Sequence, residues 1–236
     1  MTTLLTVKGI QTFIGQYHIL QGVDLEVEQG RVTLILGRNG AGKTTTLRSI
    51  MGLTPAKQGQ IVFDGEEIQT LKPHLIAQKG IGYVPEDQGV FSDLTVEENM
   101  KLAIRKLDDA TRARQDFVLD LFPDLKIAWK RKGGNLSGGQ KQMLSIARAF
   151  VNDNRLLLID EPSKGLAPIV VEKVMESILE LKKRTTIVLV EQNFLMASGV
   201  GDDVFILDDG HTVYRGSMAD VRSDEAVKKK YLGIGL

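Results

Sequence analysis

The residues with the clearest chemical purpose form a glycine-rich segment at 37–45, with the spacing G-x-x-x-x-G-K-[ST]. In this pattern glycines let backbone N–H groups surround phosphate oxygens, Lys43 reaches the outer phosphates, and the Thr44 hydroxyl binds Mg²⁺. An ordinary glycine-rich turn needs neither the lysine nor the hydroxyl. We therefore predict a nucleotide-phosphate site formed by Gly37, Arg38, Asn39, Gly40, Ala41, Gly42, Lys43, Thr44 and Thr45.

Two adjacent carboxylates, Asp160 and Glu161, follow an apolar run at 156–159. The carboxyl end of a central strand is where α/β sheets place their ligands. There Asp160 suits Mg²⁺, and Glu161 suits a general base that polarises an attacking water. An Asp-Glu pair at a strand end often only caps the next turn, so the glycine-rich segment upstream is what indicates a hydrolytic site.

A third motif stands at the start of a predicted helix and consists of Ser137, Gly138, Gly139 and Gln140. Bare backbone amides and a serine hydroxyl at a helix N-terminus favour an anion. A plain helix cap with glycines would have the same composition. Interpreted functionally, the motif gives one chain a second phosphate site.

The elements that position these motifs alternate between strands and helices. Apolar runs predict buried strands at 32–36, 155–159 and 186–190, and helical periodicity predicts helices at 45–51 and 170–183. This alternation favours a mostly parallel sheet with right-handed crossovers.

Two regions depart from that alternation. Period-2 patterns at 5–10 and 23–27 and an Asp-Gly turn at 64–65 predict an N-terminal antiparallel β layer. A second Asp-Gly turn, at 209–210, predicts a closing hairpin, and residues 86–150 predict an inserted helical subdomain that begins near a capping box at 95–98. We therefore predict one α/β domain over residues 1–236 with a P-loop NTPase core.

Composition narrows the function further. The 236 residues include 30 basic and 30 acidic side chains and no cysteine. The balanced charge gives no footprint for nucleic acid, and the lack of cysteine excludes disulfides and thiolate metal sites. No apolar run is long enough to span a membrane, and the N-terminus lacks a signal-peptide pattern, so we expect a soluble, cytoplasmic chain.

The order of the three motifs resembles the ATP-binding cassette (ABC) ATPases over the whole chain. The resemblance implies ATP and Mg²⁺ as cofactors. It also implies a head-to-tail dimer, in which the motif at 137–140 closes over the γ-phosphate of ATP held by the other subunit.

The resemblance assigns further roles where this chain departs from the family pattern. Glu86 replaces the usual glutamine that senses the γ-phosphate and the membrane partner and helps to bind the metal. Gln192 replaces the usual switch histidine, and Ala167 stands where aspartate is common. Ile14 occupies the position of the adenine-stacking aromatic, so stacking would fall to Phe13 or Tyr17.

Segments 84–86, 161–168 and 190–193 look most like the second ATPase of branched-chain amino-acid importers, with the urea-importer ATPases as close relatives. The implied partners are a second ABC ATPase, in a heterodimer or a homodimer, two transmembrane permeases and, indirectly, a periplasmic or lipoprotein solute-binding protein. The implied location is the cytoplasmic face of the plasma (inner) membrane.

Two other functions compete with transport. Soluble ABC proteins of translation or DNA repair carry two cassettes or a long coiled-coil insertion, and neither is visible here. A regulatory module with little turnover would fit Glu86, Ala167 and Gln192. Retention of Lys43 and of the Asp160–Glu161 pair argues against it.

Overall fold

Strands of two sheets organise the described part of the chain, residues 2–233 of a computed structural model. The strands are β1 Thr3–Ile14, β2 Tyr17–Glu28, β3 Val32–Leu36, β4 Gln58–Phe63, β5 Glu66–Glu67, β6 Ile81–Val84, β7 Leu156–Asp160, β8 Thr186–Val190, β9 Asp203–Asp208 and β10 His211–Ser217.

Helices connect and cover these strands. They are α1 Lys43–Ile50, α2 Pro73–Gln78, α3 Val96–Ala103, α4 Asp109–Leu121, α5 Pro123–Ile127, α6 Gly138–Phe150, α7 Pro168–Lys182, α8 Phe194–Val200, α9 Met218–Ser223 and α10 Glu225–Val227. Within residues 2–233, none of them is both long enough and apolar enough to cross a membrane.

The larger sheet has the strand order β10-β9-β3-β8-β7-β6. Its strands run parallel except β10, which pairs antiparallel with β9 as the predicted closing hairpin. Every residue of β3, β7 and β8 is buried, which explains why these strands are apolar without alternation. The predicted, mostly parallel sheet is confirmed.

Side chains from the larger sheet enter two apolar cores, one on each face. Leu34 and Leu157 belong to the core beneath α6 and α7, whereas Ile35 and Leu158 belong to the core shared with α1 and the smaller sheet. Because both faces are buried, the register of each strand is strongly specified, and with it the position of the loop that follows.

The smaller sheet is antiparallel, with the order β2-β1-β4-β5, and confirms the predicted N-terminal layer. Its first two strands are 12 residues each, longer than the predicted 5–10 and 23–27. Register shifts interrupt the β1–β2 pairing at four places. Each such irregularity resets the alternation of inward and outward side chains, so the sequence pattern reveals only part of each strand.

Helices α3, α4 and α5 lie in the chain between β6 and α6. The predicted capping box is present, since Thr95 N donates to Glu98 Oε2 at 2.8 Å and Glu98 N donates to Thr95 Oγ1 at 3.2 Å. Helix α6 contacts β6 and β7 as well as α3, α4 and α5. Helix α6 therefore packs on the sheet, and α3, α4 and α5 pack against α6 and add side chains to the same apolar core.

The pairing of β1 with β4 generates a stability prediction. Gly59 has φ +90°, and an added Cβ would lie 2.6 Å from the Lys8 and Gly9 carbonyl oxygens. Gly30 has φ +77°, but nothing lies within 4 Å of its added Cβ. We expect Gly30→Ala to cost about 1–2 kcal/mol of unfolding free energy from backbone strain alone. Gly59→Ala should cost at least about 1 kcal/mol more, because it adds a clash.

Urea unfolding followed by circular dichroism measures both variants against the unsubstituted protein. Equal losses for the two alanines would contradict the close approach of β1 to Gly59.

Candidate functional site

The phosphate-binding loop spans the turn between β3 and α1, as predicted. Its amide–carbonyl bonds run from Ala41 N to Arg38 O at 3.2 Å and from Thr46 N to Gly42 O at 2.9 Å. Gly37 is the tightest point, because a Cβ there would lie 2.3 Å from the Leu207 carbonyl oxygen. A close backbone approach to β9 therefore fixes the start of the loop.

Lys43 is buried, and its side chain folds against the backbone of the phosphate-binding loop. Its Nζ donates to the carbonyl oxygens of Gly37 at 3.1 Å and Arg38 at 3.3 Å. The same nitrogen lies 3.3 Å from Glu161 Oε1. The predicted phosphate-binding cation and the predicted general base are therefore direct neighbours.

Asp160 ends β7 beside the loop and is fully buried. Thr44 Oγ1 donates to Asp160 Oδ1 at 3.0 Å, and the Tyr83 hydroxyl donates to Oδ2 at 3.3 Å. Burial raises the pKa of Asp160 to about 6; the bond from Thr44 opposes this rise, and the negative charges of Glu86 and Glu161 add to it. Burial also raises the pKa of the Tyr83 phenol, which keeps it a neutral donor.

The Asp160 site fits Mg²⁺ chemically. No lysine, arginine or histidine of residues 2–233 forms an ion pair with this buried carboxylate. A carboxylate and a threonine hydroxyl are the hard oxygen ligands that Mg²⁺ takes, together with substrate phosphates and water. The described residues contain no cluster of three or more acidic, histidine or cysteine groups that would enclose a metal unaided, so phosphate oxygens would have to complete the shell.

Glu161 follows with a backbone φ of +44°, a left-handed conformation that costs free energy in a non-glycine residue. Each oxygen of its carboxylate has a cation nearby: Lys43 Nζ is 3.3 Å from Oε1 and Lys164 Nζ is 3.7 Å from Oε2. Lys164 also forms an ion pair with Glu86. The sequence predicts a role for Glu86 but not for Lys164, whose one signal is its place three residues after Glu161.

The predicted switch residue, Gln192, lines a small cavity with Gly37 and Arg38. Its position depends on the fully buried Glu191. The Glu191 carboxylate accepts from Ser163 N at 3.0 Å, Ser163 Oγ at 2.9 Å, Gln192 N at 3.1 Å and Asn193 N at 3.0 Å. Burial raises the pKa of Glu191, and these hydrogen bonds act against the rise. One carboxylate thus joins the loops after β7 and β8.

The two aromatic residues predicted to stack on adenine lie in the β1–β2 hairpin. Phe13 stacks instead on His18, with ring centroids 4.1 Å apart, and Tyr17 is 67% exposed. The cavity that contains Lys43 and Thr44 is lined at this end by Ile14 and Ile19. Of these hairpin residues, Ile14 and Ile19 line the cavity, and Phe13 and Tyr17 do not.

The motif at 137–140 begins α6. Gln140 N donates to Ser137 Oγ at 3.2 Å, and Ser137 N donates to Gln140 Oε1 at 3.1 Å, which is a capping box. None of the four residues lines the cavity that contains Lys43 and Thr44. The motif at 137–140 and the phosphate-binding loop therefore do not share this cavity.

Comparison with known proteins gives a consistent picture. The family model described as "ABC transporter" matches residues 20–164. The chain is 39% identical over 93% of its length to a probable branched-chain amino acid transport ATP-binding protein, LivF, of Archaeoglobus fulgidus, covering 94% of that protein. It is also 39% identical over 98% of its length to the high-affinity branched-chain amino acid transport ATP-binding protein BraG of Pseudomonas aeruginosa, covering all of it.

Solved structures match over a similar span. The ADP conformation of MJ1267, an ATP-binding cassette of an ABC transporter, has a TM-score of 0.83 and 26% identity, with full coverage of both chains. A dimeric post-hydrolysis structure of the cassette MJ0796, bound to ADP and Pi, has a TM-score of 0.80 and 25% identity, with 91% of this chain and 99% of that chain covered.

Lys43 generates the first functional prediction. Lys43→Ala should lower affinity for a fluorescent ATP analogue by at least about tenfold, because a buried hydrogen-bonding cation contributes on the order of 1.5–3 kcal/mol to an anion contact. Equilibrium titration measures this loss. Lys183→Ala is the control, since Lys183 lies at the far end of α7, paired with Glu180. Equal affinity for Lys43→Ala and the unsubstituted protein would show that the loop is not the principal site.

Proposed function

The chain belongs to the family of ABC transporter ATP-binding subunits, ATPases coupled to transport, and we propose that it drives an importer of branched-chain amino acids. The hydrolytic part of the proposal is carried by one observation: Lys43, Thr44, Asp160 and Glu161 meet at one edge of the sheet. The solute is inferred from the 39% identity to LivF and BraG over more than nine tenths of the chain.

ATP binding starts at the phosphate-binding loop. The amides of 37–45 surround the phosphates, and Lys43 turns from the Gly37 and Arg38 carbonyls toward the β- and γ-phosphates. For the adenine base we propose the apolar surface of Ile14 and Ile19 in place of stacking on Phe13 or Tyr17.

Hydrolysis requires a water that attacks the γ-phosphorus of ATP in line with the departing ADP oxygen, so that a water–phosphorus bond forms as the bond to ADP breaks. Glu161 accepts a proton from that water, since its carboxylate lies beside the lysine that holds the phosphates. Thr44 and Asp160 would hold Mg²⁺, which when bound offsets the charge of the phosphate oxygens. The Gln192 amide donates a hydrogen bond to the γ-phosphate, and Glu86 senses the phosphate and the metal from the loop after β6.

Two cassettes complete one site. ABC ATPases dimerise and work with permease subunits, and the MJ0796 structure is a dimer with ADP and Pi. We propose a head-to-tail arrangement in which the motif at 137–140 contacts ATP bound by the other subunit. The partner is a second ABC ATPase, with two permeases and, indirectly, a solute-binding protein, at the cytoplasmic face of the membrane.

Glu161→Gln tests the proposed chemistry. The amide keeps the shape of the side chain but cannot take a proton from water, so hydrolysis should fall by roughly 10²–10⁴. ATP affinity should remain, because Lys43 and the loop are intact. Phosphate release measures turnover, and size-exclusion chromatography with ATP detects the expected trapped dimer. Near-normal turnover of the variant would remove Glu161 from the role of base.

Solute uptake tests the importer. In the native host, replacing the chromosomal copy by the Glu161→Gln variant should abolish uptake of radiolabelled leucine, isoleucine and valine at low external concentration. A wild-type copy on a plasmid should restore it, and urea uptake should be unchanged throughout. Loss of urea uptake with leucine uptake intact would instead assign the chain to a urea importer.

A further inference from the structure

Lys164 lies close to two carboxylates, those of Glu86 and Glu161. It lies on the loop after β7, and Glu86 lies on the loop after β6. Because β6 and β7 are parallel neighbours, both loops leave the same edge of the sheet. The Lys164 ammonium pairs with Glu86 and lies 3.7 Å from Glu161 Oε2. Lys43 Nζ lies 3.3 Å from the other Glu161 oxygen, Oε1, so each oxygen of this carboxylate has a lysine nearby.

The ion pair of Glu86 with Lys164 matters because Glu86 adds a negative charge to a site for an anion. Glu86 and Lys164 both line the cavity of about 340 Å³ that contains Lys43, Thr44 and Glu161. They also line the neighbouring cavity that contains Asp160. A triphosphate bound at Lys43 would therefore approach three carboxylates, those of Glu86, Asp160 and Glu161. Like charges in one cavity repel, which weakens binding of the triphosphate. Lys43 pairs with Glu161, and Lys164 is the cation that pairs with Glu86.

We propose that Lys164 is a positioning residue that holds Glu86 and offsets its charge, so that ATP affinity depends on Lys164 only when residue 86 is a carboxylate. The proposal rests on the nucleotide site inferred above. The side chain of Lys164 is 60% exposed, and exposed ion pairs contribute little to folding stability. Substitution of Lys164 should therefore change the electrostatics of the site without unfolding the protein.

A double-mutant cycle tests the dependence directly. The variants are Lys164→Met, Glu86→Gln and the pair, titrated with trinitrophenyl-ATP in EDTA at low ionic strength, where Glu86 has no metal to bind. Lys164→Met alone should weaken binding by about five- to tenfold, because the Glu86 carboxylate then lacks the lysine that holds it and can turn toward the phosphates. In the Glu86→Gln background the same substitution should weaken binding by less than about twofold, since the charge to be offset is gone.

Three controls separate charge from structure. Lys164→Arg keeps the charge and should bind within about twofold of the unsubstituted protein. Lys183→Met also removes an exposed lysine, 66% exposed and 2.6 Å from Glu180, but away from the site, and should leave affinity unchanged. At about 1 M salt the loss caused by Lys164→Met should shrink, because the Debye length is then only about 3 Å and charges farther apart are screened.

The alternative outcomes are distinct. An equal loss in both backgrounds would mean that Lys164 contacts the phosphates itself, and tighter binding of Lys164→Met would mean that Lys164 competes with the nucleotide. Either result overturns the inference and leaves the ATPase assignment intact. Failure of the unsubstituted protein to bind the probe would overturn the proposed function and the inference together.

Discussion

The register of three parallel strands is the constraint on which the site depends. Ile35 of β3 lies opposite Val190 of β8, and Val190 lies opposite Asp160 of β7. The three strands therefore end in one row, and the polar residues that follow them meet although more than one hundred residues separate Lys43 from Glu161. Burial on both faces enforces this row, because a one-residue slip of any strand would turn its apolar side chains to the opposite core.

The buried carboxylate of Glu191 links the loops that follow two of these strands. Glu191 receives four hydrogen bonds from the loops after β7 and β8. Four donors of this kind offset the desolvation of a buried charge, and removal of any one leaves the carboxylate less well satisfied. The position of Gln192 beside Gly37 is thus linked physically to Ser163, which stands two residues after the proposed base.

The parts of this structure that sequence reasoning predicted are those encoded by local pattern. The phosphate-binding loop, the buried strands, the closing hairpin and the capping box at 95–98 each depend on residues close together in the chain, and each is present. Tyr83, Lys164 and the Ser163–Glu191 contact were missed because they arise between loops, where strand register decides which side chains meet. The lengths of β1 and β2 were underestimated because irregular pairing breaks their alternation. The same hairpin directs Ile14 and Ile19, not Phe13 or Tyr17, to the nucleotide cavity.

The N-terminus of α6 has backbone amides without an intrahelical acceptor, and these bear on the proposed dimer. Its capping box satisfies Gln140 N, and Lys141 N donates to the Ser137 carbonyl oxygen. The amides of Gly138 and Gly139 precede these and, at the start of a helix, have no intrahelical acceptor. They carry the positive end of the helix dipole, which favours an anion. These glycines do not line the cavity of Lys43 and Thr44, and the proposed head-to-tail pair of cassettes would bring them to an anion held by the other chain.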